Sequence, residues 1–296
     1  MNLPKTDPDN LRSVLCIGGV HKDRVLRLRG AYHPKQSHPA TTTESLGGVA
    51  CNVARHLAHA GYKVRLAGPL GDDTAGDWIA YALANLGIST AGLSRIAGGR
   101  TASFTAICEQ DGQMLVAAID DGLYADWQPG AIDPAAVVFV DSNLSSAALG
   151  KVAAAAEGVA GWLVADGVSP EKVTRLRGIL SQLDMLYLNA QELAALTGKP
   201  DVVGGIAAVQ NQGVKLVIVG CGAQGLVLTG VWQGVRTDFT RPALPALTGL
   251  DGVTCGTGDA VIAALIDAHL TGSLSASQAL EQARTAAQAI RVGALA

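Results

Sequence analysis

The chain of 296 residues is poor in aromatics (4%) and in charge (16%). Its formal net charge is −3, so there is no basic surplus to hold a polyanion, and nucleic acid is not an expected partner. No apolar run is long enough to cross a bilayer, and no membrane partner is expected. The opening stretch "MNLPKTDPDNLRS" has no apolar core, so no signal peptide is expected. The five cysteines, at 16, 51, 108, 221 and 255, form no C-x-x-C pair and are odd in number. That reads as reduced thiols in a cytoplasmic protein rather than a disulfide framework. No P-loop pattern is present: Gly198-Lys199 runs into Pro200 and Gly150-Lys151 into Val152. There is no G-x-S-x-G elbow for a serine hydrolase. His56 and His59 share a helix face, but no third ligand has metal-site spacing.

Glycine is abundant, with 36 residues. "GCGAQGLV", residues 220–227, matches G-x-G-x-x-G, yet "LVLTGVW" follows, which is apolar and β-like. A dinucleotide fingerprint needs a helix there, so a strand–turn–strand is expected and a nicotinamide-dependent oxidoreductase is disfavoured. The apolar runs "SVLCIGGV", "VRLAGPLG", "VVFVDSN", "GWLVADGVS", "DMLYLNAQE" and "KLVIVGCG" read as buried parallel strands. Helical patterns separate them: "VACNVARHLAHAG", "AGDWIAYALANLG", "SSAALGKVAAAAEG", "PEKVTRLRGILSQL" and "GGIAAVQNQG". The alternation predicts one α/β domain over 1–296 with a mostly parallel central sheet between helical layers. Residues 24–46 and 100–119 break it with period-two stretches, the second a hairpin turning at "QDGQ". They are expected to form a small separate β-sheet, a lid over a site at the strand ends. Its exposed edges could pair two copies into a homodimer.

The densest signal is "VTCGTGDA", residues 253–260, followed by the helical "VIAALIDAHL". Gly256, Thr257 and Gly258 would lie at the start of that helix. There, backbone N–H groups and the helix dipole favour an anion. Asp259 is an acid set into this anion site, which suits proton transfer beside a phosphate. Gly47 and Gly48 precede a helix whose first turn carries Asn52, which suits close approach to a polyol; an ordinary helix start is the plainer reading. Asp23 follows the first strand and could accept from two hydroxyls, or merely cap a turn. Asn189 and Glu192 stand three apart at a strand-to-helix junction. They could hold hydrated Mg²⁺ near phosphates, or simply form a capping box.

Taken in order, these pieces resemble the ribokinase-like, or PfkB, family of sugar and nucleoside kinases over nearly the whole chain. "GTGDA" is similar to that family's G-A-G-D signature. The resemblance implies a three-layer α/β/α fold with a small β-sheet lid, and ATP and Mg²⁺ as cofactors. It implies that Asp259 takes the proton from an acceptor hydroxyl, with Gly256, Thr257 and Gly258 as the anion hole. Asn189 and Glu192 would serve the phosphates and, through water, the metal. Gly220, Gly222 and Gly225 would pass near the nucleotide, and Lys172 would approach its phosphates. Asp23, Gly47, Gly48 and Asn52 would hold the sugar part of a small-molecule acceptor.

Val253 stands where the family usually carries Asp or Asn, with Asp251 two residues upstream; this departure counts against a K⁺ site. "TASFTAICEQDGQMLVAAIDD", "VFVDSNLS" and "VADGVSPEKV" are similar to pseudouridine kinases. On that likeness Asn143 would reach the base, Ser103 and Thr105 would line the lid, and the 5′-hydroxyl of pseudouridine would be phosphorylated. Another nucleoside or sugar kinase of the same family is the alternative. A third reading, a ligand-binding protein without chemistry, is favoured by Val253 and opposed by the intact Asp259.

Overall fold

The computed structural model describes residues 12–243 and 256–291. Val253, Asp251 and Cys255 lie outside them, as does most of the opening stretch. Thirteen strands and seven α-helices are described. The strands are β1 (Ser13–Ile17), β2 (His21–Leu28), β3 (Ala40–Gly47), β4 (Lys63–Gly71), β5 (Ser89–Ile96), β6 (Ser103–Cys108) and β7 (Met114–Asp120). They continue with β8 (Ala135–Asp141), β9 (Ala160–Asp166), β10 (Met185–Asn189), β11 (Leu216–Gly220), β12 (Leu226–Trp232) and β13 (Val235–Arg241). The helices are α1 (Val49–His59), α2 (Thr74–Asn85), α3 (Ser146–Ala156), α4 (Ala190–Thr197), α5 (Val202–Gln210), α6 (Thr257–Thr271) and α7 (Ala276–Arg291). None of the described helices is long and apolar enough to cross a membrane.

A nine-stranded sheet runs β13-β12-β11-β10-β9-β8-β1-β4-β5, parallel except for β12 and β13. Each predicted parallel strand is a member. Their apolar runs are continuous because both faces are covered. Alternation along β1 shows it: Val14 and Cys16 enter one core with α1, α6 and α7, while Leu15 and Ile17 enter the other with α3, α4 and α5. The strand order reverses beside β1, between β8 and β4. Ligand crevices in open α/β sheets lie outside the carboxyl ends at such a point.

The two period-two segments form a four-stranded sheet, β3-β2-β6-β7, with β2 and β6 parallel and the other pairs antiparallel. "GCGAQG" is a strand–turn–strand, as its flanks require: a 3₁₀ turn at Gly222–Gln224 leads straight into β12. Gly225 has φ +98° and its α-carbon lies against the Arg241 carbonyl, so no side chain fits there.

One predicted α-helix is different. Residues Val173–Gln182 form a 3₁₀ helix. Its buried residues are Val173, Leu176, Ile179 and Leu180, a spacing that a 3₁₀ and an α-helix share, so the sequence pattern does not separate the two.

The crevice beside β1 is tied by Asp141. Its Oδ2 accepts from the backbone N–H of Gly19 at 2.8 Å and of Ala50 at 2.9 Å, and its Oδ1 from Asn143 N at 3.0 Å. The carboxyl is fully buried. Burial pushes its pKa up, against the pull of these donors. Replacing Asp141 by Ala strands three N–H groups, so Asp141→Ala is expected to cost about 3 kcal/mol or more, read from the urea unfolding midpoint.

Candidate active site

Helix α6 begins after its N-cap Gly256, whose φ of +87° turns the chain in, and among the described residues that cap makes no side-chain hydrogen bond. Thr257 and Gly258 form its first turn, with Asp259 next, so the positive end of the helix dipole lies at these residues. A side chain at Gly258 would press on the Tyr187 ring 3.0 Å away, and one at Gly220 on the Tyr187 hydroxyl. The two glycines therefore flank one aromatic side chain, which brings the turn after β11 next to the start of α6.

Asp259 is 6% exposed. Burial pushes its pKa up to about 7; a hydrogen bond from Asn52 opposes the rise, and the Asp141 and Asp23 charges add to it. Asn52, on α1, donates from Nδ2 to Asp259 Oδ2 at 2.8 Å. Its Oδ1 faces Arg55 Nη1 at 3.4 Å, so a cation on one side points the amide N–H₂ at the carboxylate.

Asp23, on β2, sits over Gly47, where a Cβ would lie 2.1 Å from its Oδ1. A Cβ on Gly48, at φ +100°, would strike the Gly19 carbonyl. Both glycines are thus required by the chain's own close approaches. Asp23 Oδ1 is buried without a hydrogen-bond partner among the described residues. The His21 ring lies beside it, Nε2 at 3.0 Å, without hydrogen-bond geometry.

The small sheet corrects the reading of Thr105. The β2–β6 ladder pairs Asp23 with Phe104, and Arg24 with Thr105. Side chains alternate along a strand, so Thr105 and Ser103 share the opposite face with Arg24. Phe104, which the sequence reading passed over, shares the face of Asp23.

Lys172 is corrected as well. Its Nζ lies 2.6 Å from Asp121 Oδ2 and 2.8 Å from Asn143 Oδ1, beside the acceptor-side residues rather than beside the Gly220–Gly225 turn. Asn143 is buried between Lys172 and Asp141, which its side-chain amide also bonds. Its amide is committed to the protein rather than extended toward a ligand.

Asn189 and Glu192 do form a capping box at the start of α4. Glu192 Oε2 accepts from Asn189 N at 2.9 Å, and Asn189 Oδ1 accepts from Glu192 N at 2.9 Å. Their neighbour Asp166, one of the polar residues at the strand ends and given no role of its own by the sequence, is buried at the end of β9. Burial first, then the Glu192 and Asp259 charges, hold its pKa well above the carboxylate range; burial also raises Glu192. Val168, two residues on, has φ +59°, a strained value for a β-branched residue, and its N–H donates to Asp166 Oδ1 at 2.7 Å. Five carboxyls (Asp23, Asp141, Asp166, Glu192 and Asp259) thus gather around the strand ends.

Folding raises the pKa of Asp259 from 3.8 to about 7. Its favourable contribution is therefore full below about pH 4 and is lost as pH rises through about 7. Asp259→Asn is expected to gain stability relative to the parent between pH 4 and pH 8, by up to about 4 kcal/mol, seen in parallel denaturation curves.

Comparison with known proteins agrees with this geometry. The family model for pfkB family carbohydrate kinases matches residues 11–293. The pseudouridine kinase of Escherichia coli is 27% identical over 271 residues, covering 88% of this chain and 84% of that protein. The uncharacterized sugar kinase YeiI of the same organism is 30% identical over 200 residues, 64% of this chain. The chain spans about half, 55%, of that relative's length. The structure of Arabidopsis thaliana ribokinase with ribose and ATP superposes with a TM-score of 0.77 at 24% identity, covering 93% and 91% of the two chains, and shows a common fold. A buried acid in the first turn of a helix, in a ribokinase-like fold matched almost end to end, places this chain in the pfkB family of carbohydrate kinases.

Proposed function

We propose that the protein is an ATP-dependent kinase that phosphorylates the 5′-hydroxyl of a nucleoside, with pseudouridine as acceptor. The observation that carries the chemistry is Asp259. It is a buried acid whose pKa of about 7 suits a general base, held by Asn52 at the positive end of α6. In this reading Asp259 removes the hydroxyl proton. The backbone of Gly256, Thr257 and Gly258 faces the charge that builds on the transferred phosphoryl. Gly220, Gly222, Gly225 and Tyr187 border the nucleotide.

Asp166, Asn189 and Glu192 offer oxygen donors that suit a hard divalent cation, and the raised pKa values of both acids fit a site that gains by holding one. Mg²⁺, when bound there, would offset phosphate charge. Asp23 Oδ1, which beside His21 makes no hydrogen bond among the described residues, can accept from an acceptor hydroxyl. Phe104, beside it on the small sheet, supplies a face on which a base can stack.

Pseudouridine as acceptor is supported by the relative of that activity, which covers 88% of the chain. The match to a sugar kinase favours a second reading, a sugar acceptor for the same chemistry. We further propose that the chain is one kinase unit with residues 24–46 and 100–119 as its lid. β7 exposes Met114, Val116 and Ile119 along the outer edge of that sheet, where a second copy could pair.

ATP consumption with Mg²⁺ is expected to be fastest with pseudouridine in a panel with uridine, adenosine, ribose and fructose, with K⁺ making little difference. Preference for ribose or fructose would replace the acceptor and keep the mechanism. The acid limb of kcat/KM should fall tenfold per pH unit below about pH 7, since only ionised Asp259 accepts the proton. Asp259→Asn should lose about 10²–10⁴ in turnover while still binding nucleoside. Near-full activity would remove Asp259 as the base. Phe104→Ala should raise KM for nucleosides about tenfold and leave ribose turnover little changed.

A further inference from the structure

We propose that Lys172 is a positioning residue for the acceptor site: with Asp121 it latches the small sheet to the strand ends that carry Asn143 and Asp141. The proposal takes the lid and acceptor site from the kinase reading above, but its first test does not depend on turnover.

Asp121 directly follows β7, so it lies where the chain leaves the small sheet. Lys172 lies outside the small sheet, half-buried just ahead of the 3₁₀ helix at Val173–Gln182. Their ion pair is 2.6 Å long, with the lysine side chain 11% and the aspartate 31% exposed. Exposed pairs do little because water screens them and long side chains wander. Here burial limits both, and removing one partner leaves the other short of its charge.

Lys172 makes a second contact, at 2.8 Å, to Asn143 Oδ1. An ammonium can only donate, so it fixes which end of the amide faces it and turns the N–H₂ toward Asp141. Asp141 in turn holds Gly19 and Ala50, and α1, whose first turn includes Ala50, carries Asn52 to Asp259. A contiguous polar chain therefore runs from the exit of the small sheet to the candidate base.

The sheet also has a pin. The Tyr124 hydroxyl accepts from Val20 N and donates to Val20 O, both at 2.8 Å. This joins the chain entering β2 to the chain returning from β7. Asp121 is on the sheet side of that pin, so a rotation of the sheet about it must strain the contact with Lys172.

The test uses the full-length protein and compares Lys172→Met, Asp121→Asn, the double variant and Lys172→Arg. Amide hydrogen exchange without substrate is read first. Residues 103–120 are expected to exchange about tenfold faster in both single variants, with α3 unchanged. Acceptor KM should rise about tenfold with ATP KM within twofold. The double variant should be no worse than the worse single, because the pair acts as one unit. Lys172→Arg should recover at least half of the lost protection. Unchanged exchange in both single variants, or effects that add in the double, would overturn the latch. So would equal losses at both substrates tracking a fall in Tm. If Lys172→Met does not fold, Asp121→Asn carries the same exchange test. If the parent turns over no acceptor, the kinase reading fails and the exchange result still decides the latch.

Discussion

Three segments far apart in sequence meet at the Asp141 carboxyl: the loop after β1, the start of α1 and the loop after β8. The crevice beside β1 exists because this contact draws them together. It dictates the glycines as well. A Cβ on Gly18 would lie 2.5 Å from the Asp141 carboxyl, and one on Gly19 2.4 Å from Asn143 Nδ2. Because α1 starts at the same point, the contact also sets where Asn52 stands, and so where Asp259 is held. Two amides repeat one design: Arg55 faces Asn52, which donates to Asp259, and Lys172 faces Asn143, which bonds Asp141. In each, a cation at the amide oxygen aims the N–H₂ at a buried acid.

Five carboxyls around one crevice would repel each other if all were ionised in a dry site. The structure relieves this in three ways. Asp141 is solvated by backbone N–H groups, Asp259 sits at the positive end of α6, and Asp166 and Glu192 hold their protons more tightly than free acids do. Lys172 is engaged by Asp121 and Asn143, which places one positive charge beside Asp141.

The parts legible in the sequence were local. Continuous apolar runs announced six of the parallel strands because burial on both faces leaves no alternation. "GTGDA" announced a helix start because glycine, threonine and an acid before an apolar run have few other uses. The polar strand β5, "STAGLSRI", was not read, since it sits at the sheet edge and lacks the buried signature. What failed was set by register or by packing across the chain. Thr105 and Phe104 are adjacent in sequence, and only the ladder to β2 decides which of them shares a face with Asp23. Gly47 and Gly48 read from sequence as room for a ligand, and only the fold shows that Asp23 and the Gly19 carbonyl also demand glycine there. Lys172 looked like a phosphate ligand because the partner that claims it, Asp121, is 51 positions away.

The strain at Val168 belongs to the same logic. A valine at φ +59° costs on the order of 1–3 kcal/mol, and a glycine stands next to it that could have taken the bend at no cost. Gly167 meets a different need: a Cβ there would meet Leu188 and Glu192 Oε2, so glycine lets β9 pass close to the α4 cap. The turn falls on residue 168, where its N–H reaches Asp166 Oδ1. That bond occupies one oxygen of Asp166 and fixes the carboxyl near Glu192. A glycine at 168 would relieve the strain but loosen the loop that holds this acid in place. The strained valine is therefore best understood as a rigid mount, with its local cost offset by a fixed orientation for the acid.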